Sequence, residues 1–175
     1  RQMCIRDSSM LALGVVDGKQ YGLPVNASSP IMYVNADLVR AAGGDPENMP
    51  TTFPELIELA KTIHEADPRV AGMSYDIAGW PDDWLWQAMV YQQGGKLIDT
   101  ETNQVAFDNE IGLNGLTMIR QMAAEAGAPT FDWDQARQQF GAGMTGFLFS
   151  TPAHVQTIEG LVGDRFELIT TTFPL

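Results

Sequence analysis

Residues 140–158 read FGAGMTGFLFSTPAHVQTI, and their order decides the fold class. A helical run closes at Phe140, and three glycines follow at 141, 143 and 146. The apolar triplet Phe147-Leu148-Phe149 is short enough and aromatic enough to read as a buried strand. Ser150 or Thr151 then caps a helix that has Pro152 at its first position and runs to about Val162. By its letters the glycine triplet matches a dinucleotide fingerprint. That chemistry needs a strand before the glycines and a helix after them, so that the helix N-terminus meets the pyrophosphate. Here the order is reversed, and a flexible helix-to-strand turn is the better account.

Working outward, strands and helices alternate. Residues 10–16 are apolar and turn at Asp17-Gly18, a hairpin signal, and the strand continues over Tyr21–Val25. PIMYV (30–34) reads as a buried strand, with Asn35 capping a short helix that Gly43-Gly44 stops. A helix over 53–66 follows, with Thr52 and Glu55 set as a capping box and Phe53, Leu56, Ile57, Ala60 and Ile63 on one stripe. Residues 71–75 read as a strand and 76–83 as a loop. Asp83 caps a helix to about Gln93, and 96–108 read as a hairpin or extended excursion with Val105 and Phe107 turned inward. The helix over 109–126 presents Ile111, Leu116, Ile119, Met122 and Ala123 on one face, Asp132 caps the next helix, and 166–170 make a last strand. The class is α/β, with a mainly parallel sheet flanked by helices.

Composition removes several functions. Ten Lys and Arg against 22 Asp and Glu leave a formal charge of −12 over 175 residues. The basic residues are scattered singly, so no nucleic-acid partner is expected. No apolar run reaches the ~18 residues of a membrane span. Four Trp, eight Phe and four Tyr exclude a disordered tail. Cys4 is the lone cysteine and makes no internal disulfide. Two isolated histidines, His64 and His154, give no zinc spacing, and no G-x-S-x-G elbow marks a serine nucleophile. Neither metal nor cofactor is expected, and no catalytic residue is assigned. The opening RQMCIRDSS carries no apolar period, so 1–9 read as a non-native leader. The stop at Phe173-Pro174-Leu175, just after a strand, reads as the end of a partial chain.

The candidate binding residues lie beside strand ends. In open α/β sheets, ligands sit outside the carboxyl ends of strands and at helix starts. Ser28-Ser29 and Ser150-Thr151 are hydroxyl pairs in such places, and hydroxyls suit a polyol, sugar or phosphate. Trp80, in a Gly-Trp-Pro loop, offers a flat face to a sugar ring. Trp84 or Trp86 fills the core. Asp82-Asp83 open an alternative, a carbohydrate-active hydrolase, although adjacent carboxylates usually point apart while glycoside cleavage needs them set across a bond.

An ordered set of segments resembles one family. DGKQYGLP (17–24) resembles a crossing between lobes; NASSPIMYVNADLVRAAGGDP (26–46) resembles a strand and the helix after it. MPTTFPELIELAKTI (49–63) is similar to a P-x-T-W-x-E-L helix, with Phe53 in place of Trp. FGAGMTGFLFSTPAHVQTI resembles an F-x-x-G-x-x-A-M strand entry, with Gly146-Phe147 in place of Ala-Met, and FPL (173–175) the return to a hinge. Together, over about 10–175, they resemble the extracellular solute-binding proteins of ABC importers, family 1, in the sugar and glycerol-3-phosphate branch.

The resemblance implies a two-lobed receptor, periplasmic or extracellular and possibly lipid-anchored, that closes on a small solute and docks on an ABC permease of the inner membrane. It implies crossing strands over 10–34 and a truncated solute-binding lobe, mostly the second, over 35–175. The AGWPDDW loop looks closest to glycerol-3-phosphate binders. On that resemblance Ser28, Trp80 and Thr151 fall at or near ligand contacts. No Arg or Lys lies beside these loops to hold a phosphate, so a neutral sugar fits at least as well.

Overall fold

A computed structural model describes residues 11–24, 28–75 and 84–175. Two short strands, β1 (Val15–Val16) and β2 (Lys19–Gln20), form a hairpin. Asp17 and Gly18 both take positive φ, 49° and 73°, the pair of left-handed residues that matches strand twist in a two-residue turn. The strand expected over Tyr21–Val25 is absent from 21–24, which carry no regular structure.

The central sheet has four strands, β3 (Ile31–Asn35), β4 (Ala71–Ser74), β7 (Thr145–Ser150) and β8 (Leu168–Thr171), in the order β4-β7-β3-β8. β4, β7 and β8 run one way, but of the three pairings only β4 with β7 is parallel. The odd strand, β3, lies between β7 and β8 and is antiparallel to both, so the sheet is mixed. A strand pattern carries no direction, which is why only the pairing reveals this.

Helices cover both faces. Met32, Val34, Met73, Phe147 and Phe149 pack in one core with α2 (Phe53–Ala66), α3 (Trp84–Gln92) and α4 (Glu110–Glu125). Tyr33 and Leu148 point the other way, into a smaller core with α5 (Trp133–Gly141) and α6 (Val155–Val162). This is the alternation a strand dictates: odd and even residues take opposite faces.

The caps follow the sequence closely. Asn35 accepts from the Leu38 N–H to start α1 (Ala36–Ala41). Asn109 accepts from Ile111 and Gly112, and Asp132 forms a full capping box with Gln135. Thr52 is the exception: its hydroxyl donates to the Glu55 carboxylate (2.9 Å) and makes no cap to the backbone.

Two apolar readings are corrected. In α4 the buried face is Gly112, Gly115, Met122 and the following Ala126, while Leu116 is 55% exposed and Ala123 is also outside. The two glycines let Trp86 of α3 come close. A Cβ on Gly115 would lie 2.8 Å from the indole, and Trp86 Nε1 donates to the Gly112 carbonyl at 3.0 Å. In the hairpin of β5 (Ile98–Asp99) and β6 (Gln104–Val105), Val105 faces solvent. Phe107 packs edge-on against Trp86, with ring centroids 5.1 Å apart. No helix among the described residues is long and apolar enough to cross a membrane.

Candidate functional site

The register gathers the candidate residues at one edge of the sheet. Ile31 pairs with Ser150 and Met32 with Thr171, so β3 begins where β7 and β8 end. β4 runs parallel to β7, so its carboxyl end at Ser74 lies on the same edge. Ser28-Ser29 therefore enter the sheet beside the exit of Ser150-Thr151 and of Thr171-Thr172.

An open cavity of ≈ 550 Å³ lies at this edge. Ser28 and Ser29 line it with Trp84, Gln87 and Tyr91 of α3, and with Phe173 beyond β8. The wall is thus aromatic faces interspersed with hydroxyls and an amide. Among the described residues no Lys or Arg lines it. Such a surface can stack on an apolar ring or carbon chain while pairing with hydroxyl groups.

Ser150 and Thr151 sit at the same edge but are buried, at 1% and 9% exposure. Their hydroxyls are engaged inside the protein. Ser150 Oγ lies 3.2 Å from His154 Nδ1, and Thr151 Oγ1 accepts from the Ala153 N–H, capping the 3₁₀ turn Pro152–His154 that precedes α6. The Thr151 carbonyl accepts from the buried Tyr33 hydroxyl at 2.8 Å. Burial, with Glu159 adding, pushes the Tyr33 phenol up to about 12. Ser28 and Ser29 are therefore the pair open to the cavity, while the Ser150 and Thr151 hydroxyls are turned to partners within the protein.

Trp80, Asp82 and Asp83 lie outside the described residues. Trp86 fills the core as expected of one of the pair. Trp84 does not; it is half-buried and lines the cavity. Behind it stands Trp133, the first residue of α5, with ring centroids 6.3 Å apart. Trp133 meets the His154 ring at 5.4 Å, nearly perpendicular. The Arg137 guanidinium lies 5.9 Å over the Trp133 ring and is paired with Asp134. Burial, then the Arg137 charge, holds the His154 imidazole below its ordinary pKa, which favours the neutral ring. Sequence reasoning missed Gln87, Tyr91 and Phe173. A signal was there: in α3 Gln87 and Tyr91 follow Trp84 at steps of three and four, on one helix face.

Comparison with known proteins decides the family. The model of bacterial extracellular solute-binding proteins matches residues 5–167. The chain belongs to that family. Among curated members, the sn-glycerol-3-phosphate-binding periplasmic protein UgpB of Rhizobium meliloti (strain 1021) is 36% identical over 80 residues, covering 42% of this chain and 19% of that protein. UgpB of Salmonella typhimurium is 37% identical over 106 residues, 57% of this chain and 23% of that protein. The chain thus matches less than a quarter of the length of these curated relatives. Among solved solute-binding proteins, the cyclic α-maltosyl-1,6-maltose binding protein of Arthrobacter globiformis superposes with a TM-score of 0.73 at 26% identity, over 95% of this chain and 42% of that one. UgpB of Mycobacterium tuberculosis in complex with glycerophosphocholine gives 0.77 at 18% identity, over 95% and 41%. Nothing in these matches points to a hydrolase.

Proposed function

We propose that the chain is part of an ABC-importer receptor that binds a sugar or a glycerol-phosphate-like solute and delivers it to a membrane permease. The observation that carries this is the cavity at the strand-end edge, where Trp84, Tyr91 and Phe173 stand among Ser28, Ser29 and Gln87. The family supports the receptor class, and the UgpB and sugar-binding relatives support the two ligand classes. On this reading 35–175 are a truncated solute-binding lobe, mostly the second of two, and 10–34 the crossing strands between it and the opposing lobe. Ligand enters an open cleft, meets Trp80, Trp84 and the hydroxyls of Ser28 and Ser29, and stabilises the closed form because it touches both lobes only there. Ser150 and Thr151 contribute to the cleft rim. The protein works outside the inner membrane, in the periplasm or extracellularly, and consumes no ligand.

The lining, cationless among the described residues, suits the neutral, polyhydroxylated part of a solute; a phosphate would take its donors from the opposing lobe. The test is a thermal-shift panel on the full-length receptor, with maltose-type sugars, monosaccharides, glycerol-3-phosphate and its diesters, each checked for product. Ligand at about 100 times its dissociation constant adds about 2.7 kcal/mol of stability. A shift with one class and no turnover supports the reading. Turnover, or no shift with any class, overturns it.

A further inference from the structure

We infer that Trp133, which does not line the cavity, is a positioning residue that fixes the ring of Trp84 against the ligand. The inference rests on the receptor reading for its effect on affinity, but not for its structural core.

Trp84 is the first described residue of α3, and an indole has two torsions to settle. Trp133 opens a helix, and its position is over-determined. Its backbone follows the Asp132–Gln135 capping box. Its carbonyl accepts from Arg137 Nε at 3.1 Å, and the same guanidinium lies over its ring. Its ring also meets His154, whose Nδ1 is within 3.2 Å of the buried Ser150 hydroxyl. A continuous line therefore runs from the end of β7 through His154 and Trp133 to the cavity wall at Trp84. The Trp84–Trp133 pair is tilted by 41° at 6.3 Å, within the range of favourable aromatic pairs. Holding the ring before ligand arrives removes an ordering cost from binding.

Two readouts on the full-length receptor test this. The first needs no ligand. With 5-fluorotryptophan incorporated, the resonances of Trp84 and Trp86 are assigned by Phe replacement. Trp133→Ala shifts and broadens the Trp84 signal and leaves that of Trp86 in place; Trp133→Phe keeps the Trp84 signal sharp. An unmoved Trp84 signal in a folded Trp133→Ala variant overturns the inference whether or not any solute binds. The second readout is affinity for whichever panel solute shifts the wild type. Trp133→Ala weakens it roughly two- to tenfold, the worth of one aromatic pair, and Trp133→Phe restores it. Full affinity in Trp133→Ala beside a loss in Trp84→Ala also overturns it. If the wild type binds nothing in the panel, the receptor reading fails, while the fluorine signal still decides the positioning role.

Discussion

Ile31 lies opposite Ser150 in the antiparallel ladder between β3 and β7. That one pairing brings Ser28-Ser29 and Ser150-Thr151, more than a hundred residues apart in sequence, to a single edge of the sheet. Slipping the register by one residue would exchange the faces of β3. It would send Tyr33 into the core of Met32 and Val34 and break its bond to the Thr151 carbonyl.

Trp84 and Trp86 stand two residues apart and separate binding from stability. Trp84→Ala is expected to weaken solute affinity about tenfold with little change in melting temperature, because the ring lines the open cavity. Trp86→Ala removes a buried indole and its bond to Gly112, and costs about 3–5 kcal/mol. Titration calorimetry and urea unfolding on the two variants distinguish these effects; equal losses of affinity and stability in both would contradict them.

Gly72 tests how closely α2 approaches β4. A Cβ there would lie 2.1 Å from the Ala60 carbonyl oxygen, a backbone atom that cannot swing aside. Gly72→Ala is expected to cost about 1–3 kcal/mol through overpacking. A Gly160→Ala variant, where nothing stands within 4 Å, serves as the control and stays neutral or gains stability. Urea midpoints check both.

Two ionisable groups give opposite pH limits. Tyr33 is pushed up to about 12, above its ordinary value of 10.0, so folding favours its protonated form. Its contribution is fully present below the unfolded value and is lost as pH rises through 10 toward 12. His154 is held below its ordinary 6.5, so folding favours its neutral form, and stability falls as pH drops below that value. Urea midpoints measured from pH 5 to 11 are expected to fall at both ends. The Tyr33→Phe variant, less stable overall, loses part of the alkaline slope; His154→Gln loses part of the acid slope. Unchanged slopes would contradict the assignments.

Phe173 touches both the core and the cavity. Its ring packs at 5.1 Å from Phe53 and 5.6 Å from Phe149, and Leu175 exchanges backbone bonds with Thr51 and Phe53 just beyond it. Phe173→Ala is expected to cost about 3 kcal/mol and to weaken binding as well. Thermal unfolding and titration on that variant check the pair of effects; a loss in only one would separate the two roles.

Much of this arrangement was legible in sequence because it is local. The Asp17-Gly18 turn, the Asn35 and Asp132 caps and the 3.6-residue stripe from Phe53 to Ile63 each depend on neighbours a few residues away. What escaped depends on partners far along the chain. The triplet Phe147-Leu148-Phe149 announces a strand without saying that an antiparallel β3 lies beside it. Leu116 fits a helical stripe, but the face that turns inward is set by the glycines that make room for Trp86. Ser150 and Thr151 sit at the expected edge, yet whether a hydroxyl opens to the cavity or to His154 depends on a rotamer no spacing reveals. Trp84 and Trp86 differ only in which helix face they occupy, and that face is fixed by α4, not by α3.

The most direct test of the central claim is titration calorimetry of the full-length receptor with the solute class that shifts its melting temperature, alongside Ser28→Ala and Trp84→Ala. The account predicts saturable one-to-one binding, with each variant weaker than wild type and Trp84→Ala by about tenfold. Wild-type affinity in both variants would contradict it, because the solute would then be held away from the edge where β3 begins and β7 ends.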